Sequence, residues 1–227
     1  MGPNVLKSAR KRLGLTQREA ARLLGLSQPY FSLLEKGKRN VTPRLAKTAV
    51  RVFKLPPTAL PVREDALDRK VDGERLAKQL AALGYPGFAY MRSGWIRNPA
   101  QVLLCAVARD QLESRLAEAL PWLVLHYADM DKAWLVRQAR SRMLSNKLGF
   151  VVSLARQLAS RAPGNAVSAE LSRLEQELAN GRLDREVTFG QANLSNAERE
   201  WLSQNRSPEA AYWHVLTDWK PEHLQYA

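Results

Sequence analysis

Cysteine occurs once in this chain of 227 residues, and histidine three times. A single cysteine excludes an intrachain disulfide and fits a reducing compartment. Cys105 sits among Leu103, Leu104 and Val107, which reads as a small buried hydrophobe. The histidines, His126, His214 and His223, are scattered, and none has a cysteine or carboxylate at ligand spacing. Asp129 and Asp131 form an acidic pair, but at a helix start, where capping explains them. There is no glycine-rich phosphate loop. No apolar run approaches the roughly 20 residues that cross a bilayer. The first residues, MGPNVLKSARKRLG, lack an apolar stretch of signal-peptide length. These absences lead us to expect a cytoplasmic protein that is not an enzyme and has no metal, cofactor or membrane contact.

What is present is an uneven distribution of charge. Hydrophobic residues make up 45% of the chain and charged ones 25%, a globular composition with length enough for two domains. Residues 1 to 60 contain 13 Lys and Arg against 2 Asp and Glu, whereas residues 61 to 227 contain 22 against 20. Nearly all of the net charge of +13 therefore belongs to the first quarter of the chain. A basic excess confined to one domain is the footprint of a nucleic-acid binder.

That basic segment contains the most specific pattern in the sequence, LTQREAARLLGLSQPYFSLLEKGKR over residues 15 to 39. Thr16 and Glu19 have capping-box spacing and open one helix. Ala21 is small where two helices must cross, and Gly25 supplies a left-handed turn residue. Ser27 caps a second helix, whose apolar face is Leu26, Phe31 and Leu34 and which ends at Gly37. Val5 to Arg12 precedes this pair as a helix closed by Gly14. Thr42-Pro43 opens a fourth helix to Phe53, and a short helix or turn near Thr58 follows.

The spacing of Gln17, Ala21, Gly25, Phe31, Leu34-Glu35 and Gly37 resembles the helix-turn-helix of the Cro/repressor (XRE) family, over about residues 4 to 60. The resemblance implies that the second helix lies in the major groove of operator DNA. Base contacts then fall to Gln28, Pro29, Ser32 and Leu33 on its outward side. Gln28 can pair with adenine, and Pro29 and Leu33 can press on a thymine methyl. Many family members carry a polar reader where this chain has Leu33. Phosphate contacts fall to Gln17, Arg18, Tyr30, Lys36, Lys38 and Arg39, with Tyr30 equally able to be half-buried. Arg10 and Glu35 resemble the family's ion pair between first and recognition helices.

The rest reads as helical, so the fold class is all-α: a five-helix XRE-type domain at 1–62, a linker at 63–73, and a larger helical domain at 74–227. Mixed charge from Arg63 to Lys70 suggests a solvated linker helix. Apolar stripes recur at Leu76/Leu80/Leu83, Leu112/Leu116/Leu120/Leu123, Leu135/Ala139/Met143, Leu148/Val152/Ala155 and Leu171/Leu174/Leu178. Pro121 should kink the second of these. Successive helices with short connections suggest a stack, HEAT-like in the extreme, though no repeat shows in the letters. A strand or extended segment is expected at Arg185 to Phe189. Ser195/Glu198 opens one helix and Ser207-Pro208 another, with Ala211, Val215 and Leu216 inward. All six tryptophans fall in this second part. Most should be core, and Tyr212, Trp213 and Trp219 form the candidate partner interface. The expected function is a sequence-specific DNA-binding regulator, a repressor acting as a homodimer. Its second domain answers either to a protein partner, as in an antitoxin bound to its toxin, or to a small ligand.

Overall fold

The computed structural model describes residues 1–62, 72–91, 95–161 and 166–224. The expected linker therefore lies, apart from Asp72 and Gly73, outside the described residues. Contacts divide the chain into two units: residues 1–63 with 96–98, and residues 64–95 with 99–227.

The first unit opens with four α-helices, α1 Pro3–Arg12, α2 Gln17–Leu23, α3 Gln28–Glu35 and α4 Pro43–Val52, and its fifth element is a single 3-10 turn, Pro57–Ala59. Local chemistry sets the boundaries. The Thr16 hydroxyl accepts from the Glu19 amide while the Glu19 carboxylate accepts from the Thr16 amide, a complete capping box. Ser27 caps α3 and Thr42 caps α4, each accepting from the third amide along. Gly25 holds φ +68°, a left-handed conformation that lets the chain reverse between α2 and α3. Leu6, Ala20, Ala21, Phe31, Leu34, Ala49 and Phe53 close one core, every one of them almost fully buried.

The unit has a feature the sequence did not suggest. Asn98 is buried, and its Nδ2 donates to the Thr58 carbonyl at 3.0 Å and the Leu60 carbonyl at 2.6 Å. Residues 96–98 thus return from beyond the linker to satisfy carbonyls at the end of the helix-turn-helix segment.

The second unit contains α5 Gly73–Ala82, α6 Pro99–Val107, α7 Ser114–His126, α8 Lys132–Ser141, α9 Ser145–Ser160, α10 Ala166–Ala179, α11 Asn196–Asn205 and α12 Pro208–Tyr212. Asp72 caps α5 and Asp131 caps α8, the latter accepting from the Trp134 amide at 2.9 Å. The Ser195/Glu198 capping box of α11 is complete. Helix α7 runs on through Pro121 to His126.

The apolar α9 lies at the centre and touches α6, α7, α8, α10 and α12. In a solenoid each unit touches only its neighbours, so the HEAT-like reading is corrected: one buried helix organises this unit. A second correction concerns the C-terminal region. Helix α12 ends at Tyr212, and Val215–Leu216 form β2, paired in parallel with β1 at Val187–Thr188. His214, at φ +51°, reverses the chain between them. Val215 and Leu216 are fully or nearly fully buried, as expected, but from a strand rather than a helix, whereas Ala211, expected inward with them, is exposed.

Candidate nucleic-acid interface

Helices α2 and α3 present one polar surface, and its side chains are linked to one another. Buried Glu35 accepts from Arg10 Nε at 2.7 Å through one carboxylate oxygen and from Gln17 Nε2 at 2.7 Å through the other. Arg10 is fixed further by donating to the Leu15 carbonyl at 2.9 Å. The ion pair is well shielded, with the two side chains 15% and 3% exposed. A carboxylate only accepts, so the Gln17 amide must turn its nitrogen inward and its oxygen outward. That oxygen accepts from Gln28 Nε2 at 2.9 Å. The chain Arg10–Glu35–Gln17–Gln28 runs from the core of the unit to its surface. It leaves Gln28 one free N–H and its carbonyl oxygen, the donor–acceptor pair that matches the adenine edge.

The other expected base readers are arranged around Gln28. Gln28 and Pro29 are exposed, while Ser32 and Leu33 are half-buried on the same outward side of α3. Phe31, Leu34 and Glu35 occupy its inward side. Among the expected phosphate contacts, Arg18, Lys36, Lys38 and Arg39 are exposed and Gln17 is half-buried. Lys36 to Arg39 follow the end of α3, where Gly37 takes φ +70° and the Lys38 amide closes on the Leu33 carbonyl at 2.9 Å. Tyr30 is half-buried and packs on the edge of the core. Arg12 donates from Nη2 to the Phe53 carbonyl at 2.8 Å, tying α1 to the end of α4. No signal for that bond is present in the letters, because a lone arginine at a helix end does not name its partner.

The candidate partner interface is corrected. Trp213 is fully buried. Its indole occupies the space above Gly149 of α9, where an added Cβ would collide with the ring. It is therefore core, and its inward turn follows from α12 ending one residue earlier. Trp219 is half-buried beside His223. Tyr212 remains, 49% exposed, with Arg182 lying 4.4 Å from its ring centre. Trp95 and Trp201, at 78% and 56%, are the most exposed tryptophans among the described residues.

Residues 6–60 match the helix-turn-helix family model, and this segment is an XRE-type helix-turn-helix domain. No curated protein and no solved structure matches the chain. The domain makes the chain a DNA-binding transcription regulator of XRE type, with double-stranded DNA as its ligand. Among the described residues no helix is long and apolar enough to cross a membrane.

Proposed function

We propose that the chain is a sequence-specific repressor that binds a near-palindromic operator as a homodimer, each copy laying α3 in the major groove. The observation that supports this best is the hydrogen-bond chain from Arg10 through Glu35 and Gln17 to Gln28. It holds one base-reading amide in a fixed polarity before DNA arrives, which lowers the ordering cost of recognition. Helix α3 is only eight residues long and offers few outward side chains. Two copies on half-sites one helical turn apart supply the remaining affinity and length.

The second unit, in this reading, dimerises and receives a signal from a protein partner, as an antitoxin does from its toxin. The exposed Tyr212 and Trp201 favour a protein. The ligand-responsive alternative would use an open pocket of about 480 Å³ lined by Arg109, Glu113, Gln191 and Glu198.

Selection of binding sites from random duplexes tests the proposal. The full chain should select a two-fold symmetric site with adenine at one position per half-site. Gln28→Ala should cost about 1–3 kcal/mol on that site and relax preference at that base pair alone. Lys38→Ala should weaken all duplexes alike and lower the salt slope by about one. An unchanged selected motif in Gln28→Ala would remove α3 from the role of reader.

A further inference from the structure

We propose that the end of the second unit around Arg140, Met143, Arg182, Arg185 and Tyr212 docks an acidic, amphipathic segment of a partner protein. This builds on the reading of that unit as partner-binding and gives the surface and the partner's chemistry.

The patch is assembled by one clamp. The Asn146 side chain, at the start of α9, accepts from the Leu183 amide at 2.8 Å and donates to the carbonyls of Leu183 at 2.9 Å and Arg185 at 3.4 Å. This holds the loop 181–185 against the turn between α8 and α9. The clamp thus brings Arg182 and Arg185 of the loop beside Arg140, near the end of α8. Arg140 lies over Gly181, where an added Cβ would meet its side chain at 2.7 Å, and its Nη2 donates to the Glu177 carbonyl at 2.6 Å. Arg182 donates to the Tyr212 carbonyl at 2.7 Å and stacks on that ring. Arg185 reaches the Met143 sulfur at 3.8 Å.

Carbonyls, a ring and a sulfur orient these cations without neutralising them. Elsewhere in the unit, by contrast, Lys132, Lys147, Arg156, Arg161 and Arg206 each pair with a carboxylate. The nearby acids are Asp184 and Glu186 on the loop, with Glu186 committed to Arg206. Glu177 and Glu209 also lie on elements that meet the patch. Glu186 aside, these acids match the three arginines in number, so what distinguishes the surface is guanidinium groups held by carbonyls, a ring and a sulfur instead of carboxylates.

It also exposes apolar groups. Met143 is 56% exposed and is held at φ +58°, a left-handed conformation that residues other than glycine rarely adopt. Tyr212 is 49% exposed and lines an open groove of about 510 Å³ that continues past Gln176 on α10 and Asn180 just beyond its end. Tyrosine, methionine and arginine are enriched at protein interfaces. Duplex DNA would use the cations but has no need of the methionine or of a groove beside an aromatic ring. Charge complementarity therefore selects a segment with carboxylates for the arginines and apolar side chains for Met143 and Tyr212.

The test uses the full chain and a phage-displayed library of short random peptides. Peptides combining Glu or Asp with Leu, Phe or Trp should be enriched. Their affinity should fall roughly tenfold or more in an Arg140→Gln, Arg185→Glu variant whose circular dichroism is unchanged. Exchanging the peptides' glutamates for lysine should abolish binding to the natural chain and partly restore it to the Arg185→Glu variant. A merely structural arginine would not show that restoration. No enrichment, enrichment without acidic residues, or equal binding by the variant would overturn the proposal. So would a variant that loses operator affinity while keeping the peptides, which would assign the patch to DNA. Operator binding by the natural chain is measured separately, so failure of the repressor reading and failure of this one are told apart.

Discussion

Residues 1–60 hold 13 of the chain's basic side chains and no tryptophan, whereas residues 61–227 are close to charge balance and hold all six tryptophans. The two regions are stabilised in correspondingly different ways. The first uses short helices, each of ten residues or fewer, whose ends are fixed by side-chain caps and glycines and whose polar surface is tied down by one buried carboxylate. The second is organised around α9, sixteen residues long, in which twelve are buried. A domain that must offer its helices to DNA keeps a small core and invests in local signals. A domain whose fold is set by packing can place large aromatics inside.

The difference also supplies a probe. Tryptophan emission follows only the second region, while circular dichroism follows both. Trp213→Ala should therefore have the largest effect, about 3–5 kcal/mol, because it empties a fully buried site above Gly149. The emission transition should move to lower temperature. If it did not, Trp213 would have to lie outside the core. Glu35→Ala comes next, at about 3 kcal/mol, since it leaves a shielded Arg10 guanidinium without its carboxylate. This loss should appear in circular dichroism and be silent in emission.

Asn98→Ala sharpens the boundary between the regions. Removing the buried amide leaves the Thr58 and Leu60 carbonyls without that donor and should cost about 1–3 kcal/mol. By sequence position Asn98 belongs to the second region, yet the loss should appear in the tryptophan-free transition. A shift in emission instead would return residues 96–98 to the other unit.

The smallest effect is one of pH. Glu19 is held below the usual carboxylate range mainly by the Thr16 backbone amide, and Glu198 mainly by the Ser195 hydroxyl. A carboxylate whose folded pKa lies below its unfolded value stabilises the fold above the unfolded pKa. That contribution is lost as pH falls through the folded value. Glu19→Gln should flatten the acid limb of the first transition and Glu198→Gln that of the second, and each should leave the other unchanged. Equal changes in both would show that the two regions do not melt separately.

The first region was largely legible because its determinants are local. A capping box, a left-handed glycine and a proline at a helix start each act within a few residues, so Thr16/Glu19, Gly25 and Thr42-Pro43 could be read in place. The Arg10–Glu35 pair was legible through family resemblance, but its extension through Gln17 to Gln28 was not. It depends on two amides meeting across a turn. In the second region the apolar stripes marked the helices, while the aromatic cluster near the C-terminus misled. Tyr212 and Trp213 are adjacent, and which one faces outward depends on where α12 stops.

By itself the sequence determined a basic helix-turn-helix domain, the starts of its helices and a helical remainder, because periodicity, caps and charge are properties of neighbouring residues. Only the tertiary structure decided that α9 is the centre of the second unit, that Trp213 is buried over Gly149, and that Val215 pairs with Val187. It also decided that Asn98 serves the first unit and that the arginines of two distant segments share one surface. Each of these joins residues tens of positions apart, and the free energy that selects such contacts comes from burial and hydrogen bonding in three dimensions, which leave no fixed spacing in the chain.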